Sequence, residues 1–232
     1  MVSSVHLSVL LGIILLSCRP IQSRKNKGVN SNTLSRIQNF FRRNYSNNGQ
    51  YAVAINVPRW QCQSGFVPET NNFLTHDPSA AVKPFTRRDS MNVYNEGNQL
   101  IAAGVHKDAH SEYLLMYPQP GSTTSPLTDL LNHKSNRCVI FYTLLSPCID
   151  RCINNDIIAG LDELKAYQGI KAFVFTHIYK KDKADPTKLG TELKKIADRV
   201  SLYRCFTGRN TGCVLCGKPG SNTAVNNQCL TE

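Results

Sequence analysis

Apolar and polar positions along the chain follow two different periods, which predict alternating strands and helices. Densely apolar runs predict four strands, at residues 51–57, 100–105, 138–145 and 170–178. Helical periodicity predicts helices at residues 31–43, 109–116 and 186–200. Helical periodicity also follows the strand at 138–145 and continues to Tyr167. Residues 201–206 are a candidate last strand. Strands separated by helices favour an α/β fold with a mixed sheet.

Two segments lack a regular pattern. Residues 59–98 are polar, with scattered Gly, Pro and Asn, and are predicted to form a long irregular insertion. Residues 207–232 are rich in Cys, Gly and Asn and are predicted to be a tail packed on the domain. The length of 232 residues suits one domain of ordinary size, placed here at residues 24–206, or at most two small ones.

The first residues have the features of a targeting segment. An apolar run of about eleven residues begins at Leu7; a membrane span needs ~20 and a secretory signal about 7–15. The small residue Ser23 stands at a suitable cleavage point. No Lys or Arg precedes the run, so a buried core helix or an uncleaved anchor is the alternative. We expect a signal peptide over residues 1–23 and a secreted, extracellular protein without stable membrane association.

Composition narrows the class of protein and of partner. The hydrophobic fraction of 41% excludes a disordered or collagen-like chain. The formal charge of +11 favours contact with nucleic acid, anionic lipid or acidic glycans. Loss of the signal peptide removes Cys18 from nine cysteines and leaves an even number, which predicts disulfides in an oxidising compartment. Asn44 begins the sequon Asn-Tyr-Ser and is a candidate for glycosylation.

Two short motifs carry the candidate chemistry. His110 begins a His-x-Glu motif at one predicted helix start, and Cys148 follows a Pro and precedes Cys152 at another. One imidazole and two thiolates supply three of the four tetrahedral positions of zinc and leave one for water. Glu112 lies two residues beyond the histidine, where its carboxylate can move a proton from that water. The alternative for the cysteine pair is a disulfide, since residues four apart on a helix have Cα atoms within ~6 Å.

These residues resemble the zinc-dependent nucleobase deaminases, whose signature is H-x-E…P-C-x-x-C. The Ser-Pro-Cys turn at Ser146 after an apolar strand is most similar to the AID/APOBEC branch, and the signal peptide and extra cysteines to its secreted AID/APOBEC-like members. The resemblance covers residues 51–206. It implies a cytidine-deaminase-like α/β fold, with a five-stranded mixed sheet flanked by helices, to which the sequence adds a disulfide-rich C-terminal tail.

The resemblance also implies roles for individual residues. Zn²⁺ would be held by His110, Cys148 and Cys152, and zinc-bound hydroxide would attack C4 of cytosine. Glu112 would protonate N3 and the leaving amine, so that uracil and ammonia are released.

Four further residues are implied to contact the substrate. The backbone N–H of Ser111 and the backbone C=O of Ser146 would hold the base edge. The basic loop at residues 179–188 corresponds to a loop that contacts flanking nucleotides in the AID/APOBEC branch, so His177 and Tyr179 are candidates for stacking on bases. A solvated turn of a cationic protein is an equal alternative for this loop.

The chain departs from the family pattern at several points. Cys148 and Cys152 are four residues apart rather than three, Ser111 replaces the usual Ala, and Leu145 stands where the AID/APOBEC branch commonly has Trp. The stretch from residue 113 to residue 146 is longer than in compact members. These departures leave the zinc chemistry intact and put the choice of substrate in question.

The other cysteines are disulfide candidates. They are Cys62, Cys138, Cys205, Cys213, Cys216 and Cys229. Six cysteines allow about fifteen pairings, and the sequence does not choose among them. The Cys-x-x-Cys at residues 213–216, with a cysteine on either side, is alternatively a second, structural zinc site.

The sequence therefore predicts a hydrolase, a cytidine deaminase-type enzyme that acts on the C–N bond of a cyclic amidine. The expected substrate is single-stranded DNA or RNA, in defence against foreign nucleic acid, with free nucleosides or nucleotides as other possibilities. One alternative is a weak or inactive deaminase-fold module that binds nucleic acid or other polyanions. Another is a disulfide-rich interaction protein in which the motif is accidental.

Overall fold

The computed structural model describes residues 28–47, 49–90, 92–107, 109–150, 153, 157–208 and 211–231. The predicted signal peptide over residues 1–23 lies outside the described residues. Among the helices that are described, none has the combined length and apolar character of a membrane span.

Six helices and six strands are described. The helices are α1 (Ser31–Tyr45), α2 (Ser79–Thr86), α3 (Ser111–Met116), α4 (Pro126–His133), α5 (Ile158–Ala166) and α6 (Pro186–Ala197). The strands are β1 (Tyr51–Val57), β2 (Leu100–Gly104), β3 (Cys138–Leu145), β4 (Ile170–His177), β5 (Leu202–Phe206) and β6 (Gly212–Gly217). Short 3₁₀ turns occur at Arg59–Cys62, Lys180–Ala184 and Asn227–Cys229.

The strands form one mixed sheet in the order β2-β1-β3-β4-β5-β6. Strand β1 is antiparallel to both β2 and β3, whereas β3, β4 and β5 run parallel. Helices α5 and α6 make the two crossovers that parallel neighbours need. As a result, the start of β1 and the ends of β2, β3 and β4 all lie at one edge of the sheet.

Both faces of the sheet are covered, which explains the unbroken apolar runs of β1 and β3. Ala52 and Ala54 of β1 pack in the layer formed with α3, α4, α5 and α6. Val53 and Ile55, on the opposite face, pack in the layer formed with α1 and α2. The predicted helix at 31–43 and the strands at 51–57 and 138–145 are confirmed, because each buries a matching apolar face.

The prediction of five strands is wrong, since β6 adds a sixth, antiparallel to β5. The segment Gly212–Gly217 contains two glycines, two cysteines, Val214 and Leu215, and this short mixture lacks the apolar run that predicts a strand. It pairs with β5 and is also joined to it by a disulfide between two directly paired residues, Cys205 and Cys213. The insertion at 59–98 also contains α2, which the sequence pattern did not predict.

Six of the cysteines form three disulfides. They are Cys62–Cys138, Cys205–Cys213 and Cys216–Cys229. The first joins the segment after β1 to the start of β3, and the other two hold β6 and the C-terminal residues against the domain. Because Cys205, Cys213, Cys216 and Cys229 are all paired in disulfides, they do not form a second zinc site.

Candidate active site

The predicted motif residues meet at the edge of the sheet where β2 and β3 end. His110 is the residue before α3, and its carbonyl accepts the first helical hydrogen bond, from Leu114 N at 3.1 Å. Cys148 follows β3 by three residues, after a turn in which Ser146 N donates to His177 O at 2.7 Å. Ile153 N donates to Cys148 O at 3.2 Å. This i to i+5 pairing is the π-helical pattern, which recurs at functional sites.

The imidazole of His110 and the sulfur of Cys148 are held close together. Cys148 Sγ lies 3.6 Å from His110 Nδ1, and Cys148 is buried. Zinc–nitrogen and zinc–sulfur bonds of about 2.1 and 2.3 Å at a tetrahedral angle place two such atoms about 3.6 Å apart. The distance between these two donors therefore fits two ligands of one zinc ion.

The third predicted ligand, Cys152, lies outside the described residues. Within the part of the chain that is described, no group of three or more His, Cys, Asp or Glu side chains is placed to hold a metal. The described donors, His110 and Cys148, thus supply two zinc positions.

Glu112 lies beside this pair, in the first turn of α3, and is 2% exposed. Its Oε1 accepts from Thr143 Oγ1 at 2.5 Å and from Gln50 Nε2 at 3.1 Å, and its Oε2 accepts from Ser111 Oγ at 3.2 Å. Burial raises the pKa of Glu112, while hydrogen bonds from Thr143 and from its own backbone, the nearby His110 and the Ser111 hydroxyl oppose the rise. The carboxyl group is thus held in one orientation, and its burial favours the protonated form more than bulk water would.

Gln50 is a site residue that the sequence pattern did not reveal. Its Nε2 also donates to Thr143 Oγ1 at 2.7 Å, and its Oε1 accepts from Leu145 N at 2.9 Å. The side chain therefore links the residue before β1 to the end of β3 and to Glu112. The only signal in the sequence is a polar residue directly before an apolar strand, which is too common to single it out.

A cavity of about 390 Å³ opens over these groups. It is lined by Gly49, Gln50, Arg88, Val105, His110, Glu112, Leu145, Ser146, Cys148 and Tyr179. Its volume is in the range of small-molecule sites. Two of the four predicted substrate residues, Ser146 and Tyr179, are on its wall. Ser111 is fully buried beneath it, and His177 is exposed at the end of β4, outside the lining.

The sequence model of one protein family matches residues 31–232, from the first residue of α1 to the end of the chain. That family is described as Secreted Novel AID/APOBEC-like Deaminase 1. The chain belongs to this family. No curated protein and no solved structure matches the chain.

Membership in this AID/APOBEC-like deaminase family confirms the predicted resemblance and extends it. The sequence motifs supported a core at 51–206, whereas the family match also includes α1, the insertion at 59–98 and the cysteine-rich tail. The disulfides and β6 therefore lie within the region that the family shares. A deaminase-like fold is thus established for the chain.

In this deaminase-family member the basic loop at residues 179–188 (the basic segment) is anchored to the segment that carries Cys148. Asp182 is buried, and its Oδ2 accepts from Ile149 N at 3.2 Å. Tyr179 N donates to Ser146 Oγ at 2.9 Å, and Lys188 forms an ion pair with Asp150 at 3.3 Å. Asp182 is buried, whereas its neighbours Lys181 and Lys183 are exposed at the surface.

Asn44, the candidate glycosylation site, lies in the last turn of α1. Its Nδ2 donates to Phe40 O at 3.0 Å, and the side chain is half-buried. The sequon therefore lies at the end of a helix rather than in a loop. Whether the side chain carries a glycan stays a prediction.

Proposed function

We propose that this protein is a secreted, zinc-dependent deaminase that converts cytosine to uracil in single-stranded nucleic acid, in defence against foreign nucleic acid. One observation carries the proposal: the Cys148 and His110 donor atoms lie 3.6 Å apart beside a buried glutamate in an open cavity. Family membership supports the same chemistry. The word "Secreted" in the family description and the three disulfides support an extracellular location.

The zinc site would consist of His110 and Cys148 together with Cys152. Zinc, when bound, acts as a Lewis acid that makes a water molecule a nucleophile at neutral pH. The donor set of one histidine and two cysteines is the one that zinc deaminases use.

Glu112 has the environment that a proton shuttle needs. As the carboxylate it accepts a proton from the attacking water and donates it to N3 of cytosine; it then accepts the proton of the new C4 hydroxyl and donates it to the leaving amine. The overall reaction consumes one water and releases ammonia and uracil. Hydrogen bonds from Thr143, Gln50 and Ser111 keep the carboxyl group aimed while its proton moves.

The rim of the cavity supports a nucleic-acid substrate. Tyr179 presents an aromatic ring on the cavity wall, and rings of this kind stack on unpaired bases. Exposed lysines follow it along the chain and carry charge suited to phosphates; they are Lys180, Lys181 and Lys183.

The test is an assay of the purified secreted protein, with zinc measured in the same sample. The wild type should release uracil from a cytosine-containing oligonucleotide, and Glu112→Gln should abolish release while zinc content stays at one per chain. His110→Ala should lose the zinc. A cytidine assay alongside reports whether a free nucleoside is also accepted.

Each contrary result has a distinct meaning. A wild type that holds zinc but releases no uracil from either substrate refutes the catalytic proposal and supports a deaminase-fold module that only binds polyanions. A wild type without zinc refutes the metal site as well.

A further inference from the structure

Arg88 reaches the candidate active site from a part of the chain that the deaminase chemistry does not use. It lies in the connection between β1 and β2, at residues 58–99, and it lines the cavity together with His110 and Glu112. Antiparallel neighbours such as β1 and β2 need only about two connecting residues. The long connection is therefore not required to form the sheet, and it places a cation at the mouth of the site.

The backbone on both sides of Arg88 is fixed. Thr86 is buried, and its Oγ1 donates to Tyr45 O at 2.6 Å. On the other side, Asp89 N donates to Val105 O at 2.7 Å, next to the end of β2. Arg88 is therefore presented by an anchored turn rather than by a loose loop.

Gly104 allows this turn to approach β2 closely, and Gly49 lies in ordinary contact with the turn. A Cβ at Gly104 would lie 2.1 Å from Arg87 O, so the backbone of the turn packs directly on β2. A Cβ at Gly49, the residue before Gln50, would lie 3.8 Å from Arg88 Cβ. The turn thus sits against the two backbone segments that frame the cavity.

The guanidinium is available to a ligand. The side chain of Arg88 is 81% exposed, and it forms an ion pair at 3.9 Å with Asp89, whose side chain is 64% exposed. Such an exposed pair is screened by solvent and exchanges readily. Arginine offers planar, paired donors that match a phosphate group.

We propose that Arg88 binds a phosphate group of the substrate and makes the site selective for phosphate-bearing substrates over free nucleosides. This inference rests on the proposed function, because it assigns the substrate class of the same cavity. The phosphate belongs either to the target nucleotide itself or to a neighbouring nucleotide of a polymer. Both sources present the same chemistry to the guanidinium.

Arg87 provides a matched control. It is also an exposed arginine with the same charge, but it does not line the cavity, and its carbonyl packs on Gly104. Loss of either arginine changes the net charge equally. A difference between the two variants therefore reports a local contact with the ligand rather than general attraction to a polyanion.

The experiment measures binding without turnover. Full-length Glu112→Gln protein is titrated with a fluorescein-labelled oligodeoxycytidylate, and deoxycytidine 5′-monophosphate and deoxycytidine compete for the same site. Adding Arg88→Ala should weaken oligonucleotide binding about tenfold, as expected for loss of a charge-assisted hydrogen bond. It should also reduce the slope of log affinity against log salt concentration by about 0.7. Arg87→Ala should change affinity less than about twofold, and Arg88→Lys should restore part of it.

The competitors locate the phosphate. Weaker competition by the monophosphate in the Arg88→Ala protein places the contact on the target nucleotide, and an effect on the oligonucleotide alone places it on a neighbour; both support the proposal. Equal losses for Arg87→Ala and Arg88→Ala, or no loss for either, overturn it. Arg88-dependent binding by a protein that releases no uracil would leave this inference standing and refute only the proposed catalysis.

Discussion

The side-chain amide of Gln50 lies 3.1 Å from the Oε1 of Glu112, and the same side chain accepts a hydrogen bond from Leu145 N at 2.9 Å. One residue before β1 thereby fixes both the carboxyl group of α3 and the end of β3. The hydrogen bonds of Gln50 to Glu112, Thr143 and Leu145 give it a part in positioning Glu112.

We predict that Gln50→Ala lowers kcat for cytosine deamination by about 10- to 100-fold and leaves zinc content unchanged. The loss follows because Glu112 would lose one of its donors, while Leu145 N would lose its acceptor, at a stability cost of about 1–3 kcal/mol. Kinetics, zinc analysis and urea unfolding measure the three effects.

Gln50→Glu is the control for shape. It preserves the size of the side chain and the acceptor for Leu145 N, but it replaces the amide donor by a second carboxyl group. Its kcat should be at least as low as that of Gln50→Ala. Its stability loss should be smaller than that of Gln50→Ala at a pH where the new carboxyl is protonated. A normal kcat in both variants would show that Glu112 needs no help from Gln50.

Elements with a buried, continuous apolar pattern were predictable from the sequence. Strand β3 is apolar on both faces because helices cover both faces, and its limits at 138–145 agree with the prediction. Strand β6 was not predictable in this way, because it lacks an apolar run; it pairs with β5, and the Cys205–Cys213 disulfide joins the two strands. Pairings of cysteines are a property of the folded chain and not of their spacing.

The same division holds for the candidate site. His110, Glu112 and Cys148 were predicted because zinc chemistry imposes short motifs on the sequence, and the structure brings these three together. Gln50 and Arg88 were not predicted as site residues, because each arrives from a separate connection through the antiparallel pairing of β1 with β2 and β3. Their role depends on strand order, which no short motif encodes.

Asp77 should make stability depend on pH. It is 1% exposed; its Oδ1 accepts from Tyr94 OH at 3.0 Å, and its Oδ2 has no hydrogen-bond partner among the described residues. Burial raises the pKa of Asp77, and the hydrogen bond from Tyr94 and the nearby His76 oppose the rise. A carboxyl with a raised pKa in the folded state favours folding at low pH, and this contribution is lost as pH rises from about 3.9 through the folded pKa.

Asp77→Asn removes this titration. The free energy of unfolding of the variant, relative to wild type, should therefore increase as pH rises above about 4 and then level off. Urea unfolding at a series of pH values measures the difference. Parallel curves for the two proteins across the whole range would contradict the assignment.

The three disulfides should contribute unequally to stability. Cys62–Cys138 closes a loop with a sequence separation of 76, whereas Cys216–Cys229 closes one of 13. Chain entropy predicts a loss of about 4–5 kcal/mol on removing the first pair and about 3 kcal/mol on removing the second. Paired Cys→Ala variants, unfolded in urea without reductant, provide the comparison. A larger loss from the shorter loop would show that packing in the tail, rather than loop closure, sets the order.

Asp182 should couple the basic segment to the zinc site, and Asp185 offers a matched control three residues away. Asp182 accepts from Ile149 N at 3.2 Å, next to Cys148, whereas Asp185 accepts from Lys188 N at 2.9 Å and caps α6. Asp182→Ala should lower both zinc affinity and oligonucleotide affinity, because Ile149 N loses its buried partner and the segment loses its anchor. Asp185→Ala should reduce stability by about 1 kcal/mol and leave both affinities unchanged.

Zinc competition with a chelator and fluorescence anisotropy with the labelled oligonucleotide separate the two variants. Asp182→Asn, which retains an oxygen acceptor for Ile149 N, should restore most of the zinc affinity that Asp182→Ala loses. If Asp182→Ala and Asp185→Ala changed only stability, and by similar amounts, the basic segment would be an ordinary surface turn. The lysines beside Tyr179 would then have no fixed relation to the cavity, and the polymer-binding part of the proposed function would lose its structural support.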